Sequence, residues 1–406
     1  MSTPITTQIA TSILNVKGFT FAAAEAGIKS SGRNDCALIR SNIPAACAGV
    51  FTKNKVIAAP LIVSKPRIAT GLCQAVLINS GNANACTGAA GLEHAQQSSA
   101  VLAAELQIDE GLIALASTGV IGVPLPVERL TAAVPALCSA RSADQAEAVA
   151  EAIMTTDGFS KTSQRTIVVA GKSCQILGVA KGAGMIHPNM ATMLGFVMTD
   201  ISIDPAVLQP ALTHAVDDSF NSITVDGDTS TNDMVLILAN GAAENEMVVA
   251  GSDEAQLFQT ALNEVLLDLA KMIVSDGEGA TKLVQIQLTG ATDAAQAKIA
   301  ARSVATSSLV KTAFFGEDAN WGRIIAAVGY ADVDVDPNKI DIFFDDIQVV
   351  AEGITTGAQQ EELATKVLKQ AEFSVRINLN LGQGCADYYT SDLTYEYVKI
   401  NADYRT

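Results

Sequence analysis

Short apolar runs alternate with longer amphipathic stretches along the chain, and this alternation constrains the fold more than any other feature. Residues 255–274 place apolar side chains at helical spacing on one stripe, and similar patterns cover about residues 93–107, 142–154, 205–219 and 358–371. The strand-like runs are QAVLIN, TIVVAG, CQILGVA, MVLILAN, LVQIQLTG and VRINLNL. Such a mixture predicts an α/β or α+β protein in which helices cover sheets, and it leaves the strand order open.

Two patterns near the C-terminal end lead to more specific predictions. Residues 333–344, VDVDPNKIDIFF, predict a hairpin at a sheet edge, with its turn at Pro337 and Asn338. The alternation in residues 394–400, TYEYVKI, predicts a strand that pins the last residues of the chain in place.

Composition and charge exclude several classes of protein. With 406 residues, 49% hydrophobic and 17% charged, the chain has the composition of a compact globular protein. Its net charge of −17 argues against nucleic acid or an anionic membrane surface as a partner. Since no apolar run reaches the roughly 18 residues of a membrane span, we expect no membrane segment.

Cysteine usage points to a reducing compartment. The seven cysteines are scattered without CxxC spacing, which is typical of cytoplasmic proteins, and the N-terminal residues do not form a secretory signal. Cys86 is interpreted as a small core residue and not as a nucleophile.

Neither a metal site nor a dinucleotide site is predicted. Residues 226–233, DGDTSTND, have Thr231 and Ile237 where a calcium loop needs glycine and glutamate, and a loop beginning at Asp332 fails in the same way. The acidic cluster instead predicts a network of turns near a site. The glycine-rich segments 178–184 and 277–279 do not spell GxGxxG.

Residues 181–200, KGAGMIHPNMATMLGFVMTD, contain the segment with the most distinctive chemistry. A glycine- and proline-containing approach leads to Thr192, which follows Ala191. If the bond between these two residues were cut, Thr192 would carry a hydroxyl nucleophile and a free α-amine, whose reference pKa of about 7.7 to 8.0 suits a base. His187 is a second candidate base, although a loop histidine is more often a hydrogen-bonded bystander. On residue types alone, Thr192 also fits the ordinary start of a strand.

Around this segment the chain resembles the arginine-biosynthesis acetyltransferases called glutamate N-acetyltransferase or ornithine acetyltransferase. The matching blocks run in order along nearly the whole sequence: INSGNANACTG at 78–88, ASTGVIG at 116–122, MTTD at 154–157, KGAGMIHPNMATML at 181–194, DGDTSTND at 226–233, SDGEGATK at 275–282, GEDANWGRI at 316–324 and YVKINADYRT at 397–406.

The resemblance implies a precursor that cuts itself between Ala191 and Thr192 into an α-chain, residues 1–191, and a β-chain, residues 192–406. It implies an αββα-type fold, with mixed sheets sandwiched between helical layers, and a self-cleaving N-terminal-nucleophile enzyme. Two α- and two β-chains are expected to assemble as a heterotetramer in the cytoplasm.

The implied activity is transfer of the acetyl group of N-acetylornithine to glutamate through an acetyl-Thr192 intermediate, without a cofactor. The resemblance leaves open whether acetyl-coenzyme A is also a donor, as in bifunctional members. A self-cleaving amidohydrolase or aminopeptidase is the alternative enzyme, and a non-catalytic binding protein for small amino acids is the alternative outside enzymes.

The resemblance also assigns roles to individual residues. Thr118 and Gly119 become the oxyanion hole, although an STG step after an apolar run is otherwise an ordinary turn. Lys181 and Glu278 suit the carboxylate and ammonium groups of the substrates, although each is otherwise an ordinary surface charge. The implied substrate-binding residues are Thr155, Lys181, Thr192, Glu278, Asn401 and Thr406.

Overall fold

The computed structural model of the chain describes residues 14–187 and 193–403. Ala191, Thr192 and Thr406, which carry three of the predictions above, lie outside these ranges.

The described residues form strands and helices in alternation. The strands are β1 (Phe19–Ala24), β2 (Cys36–Phe51), β3 (Leu72–Asn82), β4 (Ile113–Val120), β5 (Lys161–Val169), β6 (Lys172–Lys181), β7 (Leu194–Thr199), β8 (Ile223–Thr224), β9 (Met234–Ala239), β10 (Leu283–Ala291), β11 (Asp341–Phe344), β12 (Ile347–Ala351), β13 (Ile354–Thr355), β14 (Glu372–Asn378) and β15 (Gly384–Ser391). The helices are α1 (Ala59–Ile68), α2 (Gly88–Leu106), α3 (Val127–Ser139), α4 (Ala146–Ala152), α5 (Pro205–Asp218), α6 (Asp253–Ser275), α7 (Ala294–Thr306), α8 (Ser308–Phe315), α9 (Trp321–Gly329), α10 (Ala358–Val367) and α11 (Tyr395–Asp403).

The prediction of an α/β protein with mixed sheets and covering helices is confirmed. All six strand-like runs lie at least partly in strands, namely β3, β5, β6, β9, β10 and β14, and the five helical patterns correspond to α2, α4, α5, α6 and α10. The long helices were predictable because their apolar stripes repeat over several turns.

Helix α6 shows how the sequence sets an element. The Ser252 hydroxyl accepts a hydrogen bond from the Ala255 amide at 3.1 Å, which satisfies one free N–H of the first turn. Asp253 and Glu254 place negative charge at the positive end of the helix dipole. The predicted apolar stripe is buried from Phe258 to Val274, and each fully buried leucine in it contributes about 1.5 to 3 kcal/mol.

The larger sheet has the strand order β4-β3-β2-β9-β7-β6-β5, with β1 paired to β2 outside this path. The pairs β3–β4 and β7–β9 are parallel, and the other pairs are antiparallel. Strand β9 lies between β2 and β7, so strands from before and after residue 192 are neighbours in the middle of the sheet.

Helices cover both faces of this sheet. Ile176, Val197 and Ile237 face one core with α5 and α6, whereas Leu177 and Phe196 face another that includes α4. Helices α1, α2 and α3 enclose a third core with β3 and β4. Strands β6, β7 and β9 are therefore packed against apolar cores on both faces of the sheet.

The smaller sheet has the order β13-β12-β11-β14-β10-β15-β8, and α7, α8, α9 and α10 pack against it. Leu283 and Tyr389 of this sheet belong to the core around α6, which joins the two halves of the molecule.

Three sequence predictions are wrong. Residues 394–400 are not a strand, because α11 begins at Tyr395, and the Thr394 hydroxyl accepts a hydrogen bond from the Tyr397 amide at 3.2 Å. The alternation in this segment misled because no side chain of α11 is buried, so its pattern reflects no sheet face. Cys86 is exposed and not a core residue, because it lies in a turn with a φ of 57°.

The third error concerns the hairpin at residues 333–344. The turn exists, since the Lys339 amide bonds to the Asp336 carbonyl at 3.0 Å, but no strand precedes it. Strand β11 instead forms its hairpin with β12, through a turn in which Asp345 has a φ of 48°. It lies between β12 and β14 and is not an edge strand.

In the parts of the chain that the structure describes, none of the helices combines the length and apolar character that a bilayer crossing requires.

Candidate active site

A cavity of about 150 Å³ lies at one edge of the larger sheet. The end of β6 and the beginnings of β7 and β9 meet there, because β6 and β7 are antiparallel and β7 and β9 are parallel. The lining residues are Thr118, Gly119, Ile121, Thr155, Thr156, Lys181, Gly184, Met185, Met193, Leu194, Ser230, Asn232, Asp233, Glu278 and Asn401.

This cavity brings together the predicted site residues that the structure describes. They come from β4, from the loop before β5, from the end of β6, from the loop after α6 and from α11, and they are Thr118, Gly119, Thr155, Lys181, Glu278 and Asn401. Met193 and Leu194, which directly follow the predicted nucleophile in sequence, line the same cavity. The cavity therefore satisfies the spatial requirement of the sequence prediction, and the roles of the residues stay predictions.

Lys181 is the buried cation of the cavity. Lys181 is the last residue of β6 and is the register partner of Leu194 in β7, and it is 8% exposed. The Nζ donates hydrogen bonds to Thr155 Oγ1 at 2.9 Å and Thr118 Oγ1 at 3.3 Å, and it lies 3.7 Å from Asp157 Oδ2. A cation held in this way can receive a small anionic group.

Asp157 anchors Lys181 within a buried charge network. Its carboxylate accepts hydrogen bonds from the Thr155 amide at 2.9 Å, the Gly182 amide at 2.6 Å and Lys161 Nζ at 2.9 Å. Burial opposes its charged form, but Lys181, Lys161 and these hydrogen bonds outweigh that effect and hold the pKa of Asp157 well below its usual range. The carboxylate is therefore charged throughout the physiological range.

The same network reaches the loop that carries Glu278. Lys161 is fully buried and also bonds to Asp276 Oδ2 at 2.5 Å, and Asp276 accepts the Gly158 amide at 2.9 Å. Asp157, Lys161 and Asp276 thus connect the loops on two sides of the cavity.

Thr118 and Gly119 lie near the end of β4, not in a turn, and this position requires glycine. Gly119 has a φ of +129°, and a Cβ there would lie 2.6 Å from the Asn82 nitrogen and collide with the Gly81 backbone. Asn232 braces this strand end by donating hydrogen bonds to the carbonyls of Ser117 at 2.9 Å and Ala83 at 2.6 Å. The backbone is therefore fixed where an oxyanion hole is predicted.

Glu278 forms the acidic side of the cavity. It is 8% exposed, its amide bonds to the Ala183 carbonyl at 3.1 Å, and its carboxylate accepts a hydrogen bond from Asn401 at 2.8 Å. A Cβ at Gly184 would lie too close to the Glu278 carboxylate and force it to move, so glycine allows the carboxylate to keep this position.

The acidic block at residues 226–233 forms the predicted turn network. Asp226 accepts hydrogen bonds from the amides of Met185 at 2.7 Å, Ile186 at 2.9 Å and Asp228 at 3.1 Å, which fixes the approach to the cavity. Burial, opposed by these hydrogen bonds, raises the pKa of Asp226.

His187 does not line the cavity. Its Nδ1 lies 3.2 Å from Thr224 Oγ1, and burial, together with Arg302, lowers the pKa of the imidazole. This geometry fits the interpretation as a hydrogen-bonded bystander. Among the described residues, no cluster of three or more histidine, cysteine or acidic side chains is arranged to hold a metal ion.

Sequence reasoning missed several residues that build this cavity. Asp157 stands in the block MTTD, and Asn232 and Asp233 stand in the block DGDTSTND, so their position in the sequence is a usable signal. Lys161 has no such signal, because a lone lysine at the start of a strand suggests a solvent-exposed charge.

Comparison with known proteins links the chain to one group over nearly its full length. The model of the ArgJ family matches residues 20–406. The arginine biosynthesis bifunctional protein ArgJ of Syntrophotalea carbinolica is 61% identical over 396 residues, covering 97% of this chain and 100% of the relative. Its counterpart in Geobacter sulfurreducens is 54% identical over 393 residues, with coverages of 97% and 100%.

A solved structure is similar as well. The crystal structure of the arginine biosynthesis bifunctional protein argJ from Bacillus halodurans has 47% sequence identity and a TM-score of 0.50. The match covers 52% of this chain and 98% of that chain, so the solved polypeptide is about half as long as this one.

Proposed function

Because the chain belongs to the ArgJ family, we propose that it is an acetyltransferase of arginine biosynthesis that moves the acetyl group of N-acetylornithine to glutamate. One observation carries the proposal: a single small cavity combines Lys181, Glu278 and the end of β4 at Thr118 with Met193, the residue after Thr192. Its volume of about 150 Å³ is below the roughly 300–1,000 Å³ of sites for drug-sized ligands. A site of this size suits a substrate as small as an amino acid.

The enzyme first activates itself by cutting the bond between Ala191 and Thr192. The Thr192 hydroxyl attacks the Ala191 carbonyl, and the acyl group moves from nitrogen to oxygen, which frees the amine of Thr192. Water then hydrolyses the ester, which releases the Ala191 carboxylate and restores the hydroxyl of Thr192. The length of the solved relative supports this step, since a polypeptide about half as long as this chain is what such a cut produces.

The first half of the reaction forms the acetyl-enzyme. The α-amine of Thr192 takes the hydroxyl proton while the oxygen attacks the acetyl carbon of N-acetylornithine. Thr118 and Gly119 stabilise the oxyanion of the tetrahedral intermediate. The C–N bond then breaks, and the proton passes to the departing amine of ornithine.

Glutamate completes the second half by the reverse route. Its amine attacks the acetyl ester, Thr192 leaves as the hydroxyl after regaining a proton, and N-acetylglutamate departs. Since one amide is exchanged for a similar amide, the transfer needs neither a cofactor nor an external energy source.

Charge complementarity supports the choice of substrates. Lys181 binds the α-carboxylate that both amino acids share, and Glu278 with Asn401 receives an ammonium group. Thr155 hydrogen-bonds to Lys181 and completes this side of the site. Thr406 belongs to the proposed binding residues on the strength of the resemblance.

The wider proposals concern donors, assembly and location. Acetyl-coenzyme A is proposed as an additional acetyl donor, as the word bifunctional in the names of the relatives suggests. The two chains are proposed to assemble as an α2β2 heterotetramer in the cytoplasm, in keeping with seven free cysteines.

The test combines a gel with a two-substrate assay. The purified protein should run as two bands under denaturing conditions, and it should release ornithine from N-acetylornithine only when glutamate is present. Replacing N-acetylornithine by acetyl-coenzyme A, with glutamate kept as the acceptor, tests the second donor.

Thr192→Ala is the decisive variant, and Thr192→Ser is its matched control. The alanine variant should be folded, full-length and inactive, while the serine variant should keep part of the processing because it keeps a hydroxyl. Rapid cutting of the alanine variant at the same bond would point to an outside protease. Ornithine release without glutamate would identify the amidohydrolase alternative instead.

A further inference from the structure

Asp233 is a buried carboxyl group that the proposed mechanism does not use. It directly precedes β9, lines the cavity and is 2% exposed. Its Oδ2 is buried and has no hydrogen-bond partner among the described residues. Because buried polar atoms are almost always paired, such an exception calls for an explanation.

Three other buried carboxylates, those of Asp35, Asp157 and Asp392, have hydrogen bonds to both of their oxygens. Asp35 accepts three backbone amides at 2.5 to 2.9 Å, and Asp392 bonds to the amides of Thr281 and Lys282. Asp157 is paired with two lysines. The open oxygen of Asp233 therefore distinguishes it from these three carboxylates.

The position of Asp233 relative to the predicted nucleophile is set by strand pairing. The Met234 amide donates a hydrogen bond to the Met193 carbonyl at 3.1 Å, and Leu194 and Met234 are register partners in the β7–β9 pair. Asp233 therefore lies beside Met193, which is joined by one peptide bond to residue 192. Strand pairing thus brings Asp233 next to the residue that directly follows the predicted nucleophile in sequence.

The charge environment indicates what the open oxygen needs. Burial raises the pKa of Asp233 well above its usual range, against the opposing effects of Ser230, Lys181, Thr52 and the Met193 amide. Burial in this way favours the neutral form of the carboxyl group, and a further cation beside it would favour the charged form. Lys181 and Glu278 are the charged side chains that line the cavity with it, and the hydrogen bonds of Lys181 go to the hydroxyls of Thr118 and Thr155.

We propose that Asp233 is a positioning residue whose carboxylate accepts a hydrogen bond from the α-amine that cleavage creates on Thr192. The inference rests on the proposed function and adds a residue to it. Once cut, the chain supplies an amine at this place for the first time, and the Asp233 carboxylate accepts a hydrogen bond from one N–H of the neutral amine. The nitrogen lone pair is then free to face the hydroxyl, and the carboxylate stabilises the ammonium that forms when the amine takes the hydroxyl proton.

Asp233→Asn tests the proposal, because asparagine keeps the shape and removes the charge. Cleavage should proceed, since it does not use the free amine, whereas kcat for acetyl transfer should fall at least about 10-fold with little change in KM. A carboxylate raises the pKa of a neighbouring amine, so the acid limb of the kcat/KM profile should move to lower pH in the variant.

A direct measurement separates positioning from a purely structural role. The pKa of the Thr192 α-amine can be followed by reductive dimethylation at several pH values and mass spectrometry of the N-terminal β-chain peptide. The variant should show a lower pKa than the wild type. If the asparagine variant does not fold, Asp233→Ser provides the same comparison.

Asp200→Asn is the matched control. Asp200 is also buried, at 3% exposure, and accepts the Gln175 amide at 2.7 Å, but it directly follows the opposite end of β7, about 20 Å from Asp233. It should leave the acid limb and the amine pKa unchanged.

The outcomes distinguish this inference from the proposed function. An uncut but active wild-type enzyme overturns both. If the wild type is cut and active, and Asp233→Asn has the same kcat, the same acid limb and the same amine pKa, only the role of Asp233 is overturned. Loss of cleavage in a folded Asp233→Asn variant also overturns it, because the residue would then act before the amine exists.

Discussion

Lys181 fixes how the two hydroxyls of the cavity can act. It donates to the oxygens of Thr118 and Thr155, at 3.3 and 2.9 Å, so each hydroxyl has its own proton left to donate elsewhere. For Thr118, this is the orientation that an oxyanion hole requires.

We therefore expect Thr118→Val to lower kcat by about 100- to 1,000-fold, because valine keeps the shape of threonine and removes the donor. KM should change much less, since the oxyanion exists only in the transition state and intermediate. Steady-state kinetics with N-acetylornithine and glutamate provide the measurement. Thr118→Ser should retain most of the activity, and a fully active valine variant would exclude Thr118 from the oxyanion hole.

Stability should depend on Asp157 in a pH-dependent way. Its folded-state pKa is depressed, so its contribution is complete above the unfolded pKa of about 3.9 and is lost as the pH falls from there toward the folded value. Asp157→Asn should lower the free energy of unfolding by about 3 to 5 kcal/mol at pH 7, because it leaves a buried lysine without one partner. The difference from wild type should shrink below about pH 4.

Urea unfolding at pH 7 and at pH 3.5 provides these values. Glu244→Gln is a suitable control, because Glu244 pairs with Lys17 at an exposed position and should contribute little. A difference between Asp157→Asn and wild type that is constant with pH would rule out the charge as its cause.

At the scale of single residues, the motif blocks supplied the predicted site residues, and those that the structure describes line one cavity. Asp157, Lys161 and Asp233 were not predicted as site residues. Their importance comes from burial and from partners far away in sequence, such as Asp276 for Lys161, and neither property is visible in a local pattern.

The C-terminal helix α11 is held to the site by few contacts. None of its residues is buried, while Asn401 reaches Glu278 at 2.8 Å. Gly279 allows this approach, since a Cβ there would lie 2.7 Å from the Tyr397 nitrogen.

Removing residues 395–406 should consequently affect turnover more than folding. We expect the melting temperature to change by only a few degrees, because little apolar surface is lost, and KM for N-acetylornithine to rise. Differential scanning calorimetry and kinetics would be compared with the milder variant Asn401→Ala. Wild-type kinetics in the truncated protein would remove α11 from the substrate site.

At the scale of elements, prediction succeeded where a pattern reflects burial. Helix α6 was recognisable because one stripe of side chains is buried along its length. Helix α11 was mistaken for a strand because all of its side chains are at least partly exposed, so solvent imposes no period on its sequence.

The larger sheet links the two segments that the proposed cut would create. Strand β9 pairs with β2 on one side and β7 on the other, and β7 pairs with β6, so backbone hydrogen bonds cross the boundary twice. This arrangement could not be predicted, because strand order depends on long-range pairing and not on local sequence.

The cut protein should accordingly behave as one body. We expect the two chains to elute together in size-exclusion chromatography without denaturant and to unfold in a single transition, since separation would break the middle of a sheet. Native mass spectrometry can detect both chains in one complex. Two separate unfolding transitions, or chains that separate at neutral pH, would contradict this expectation.

The position of β9 between β2 and β7 also determines when the larger sheet is completed during translation. A ribosome makes β1 to β6 long before it reaches Ala239, the last residue of β9, so the nascent sheet has a vacant central place until then. Any chemistry at residue 192 that depends on the complete sheet must wait for this late arrival. If the proposed cut at residue 192 requires the complete sheet, the order of translation delays that cut until β9 has been made.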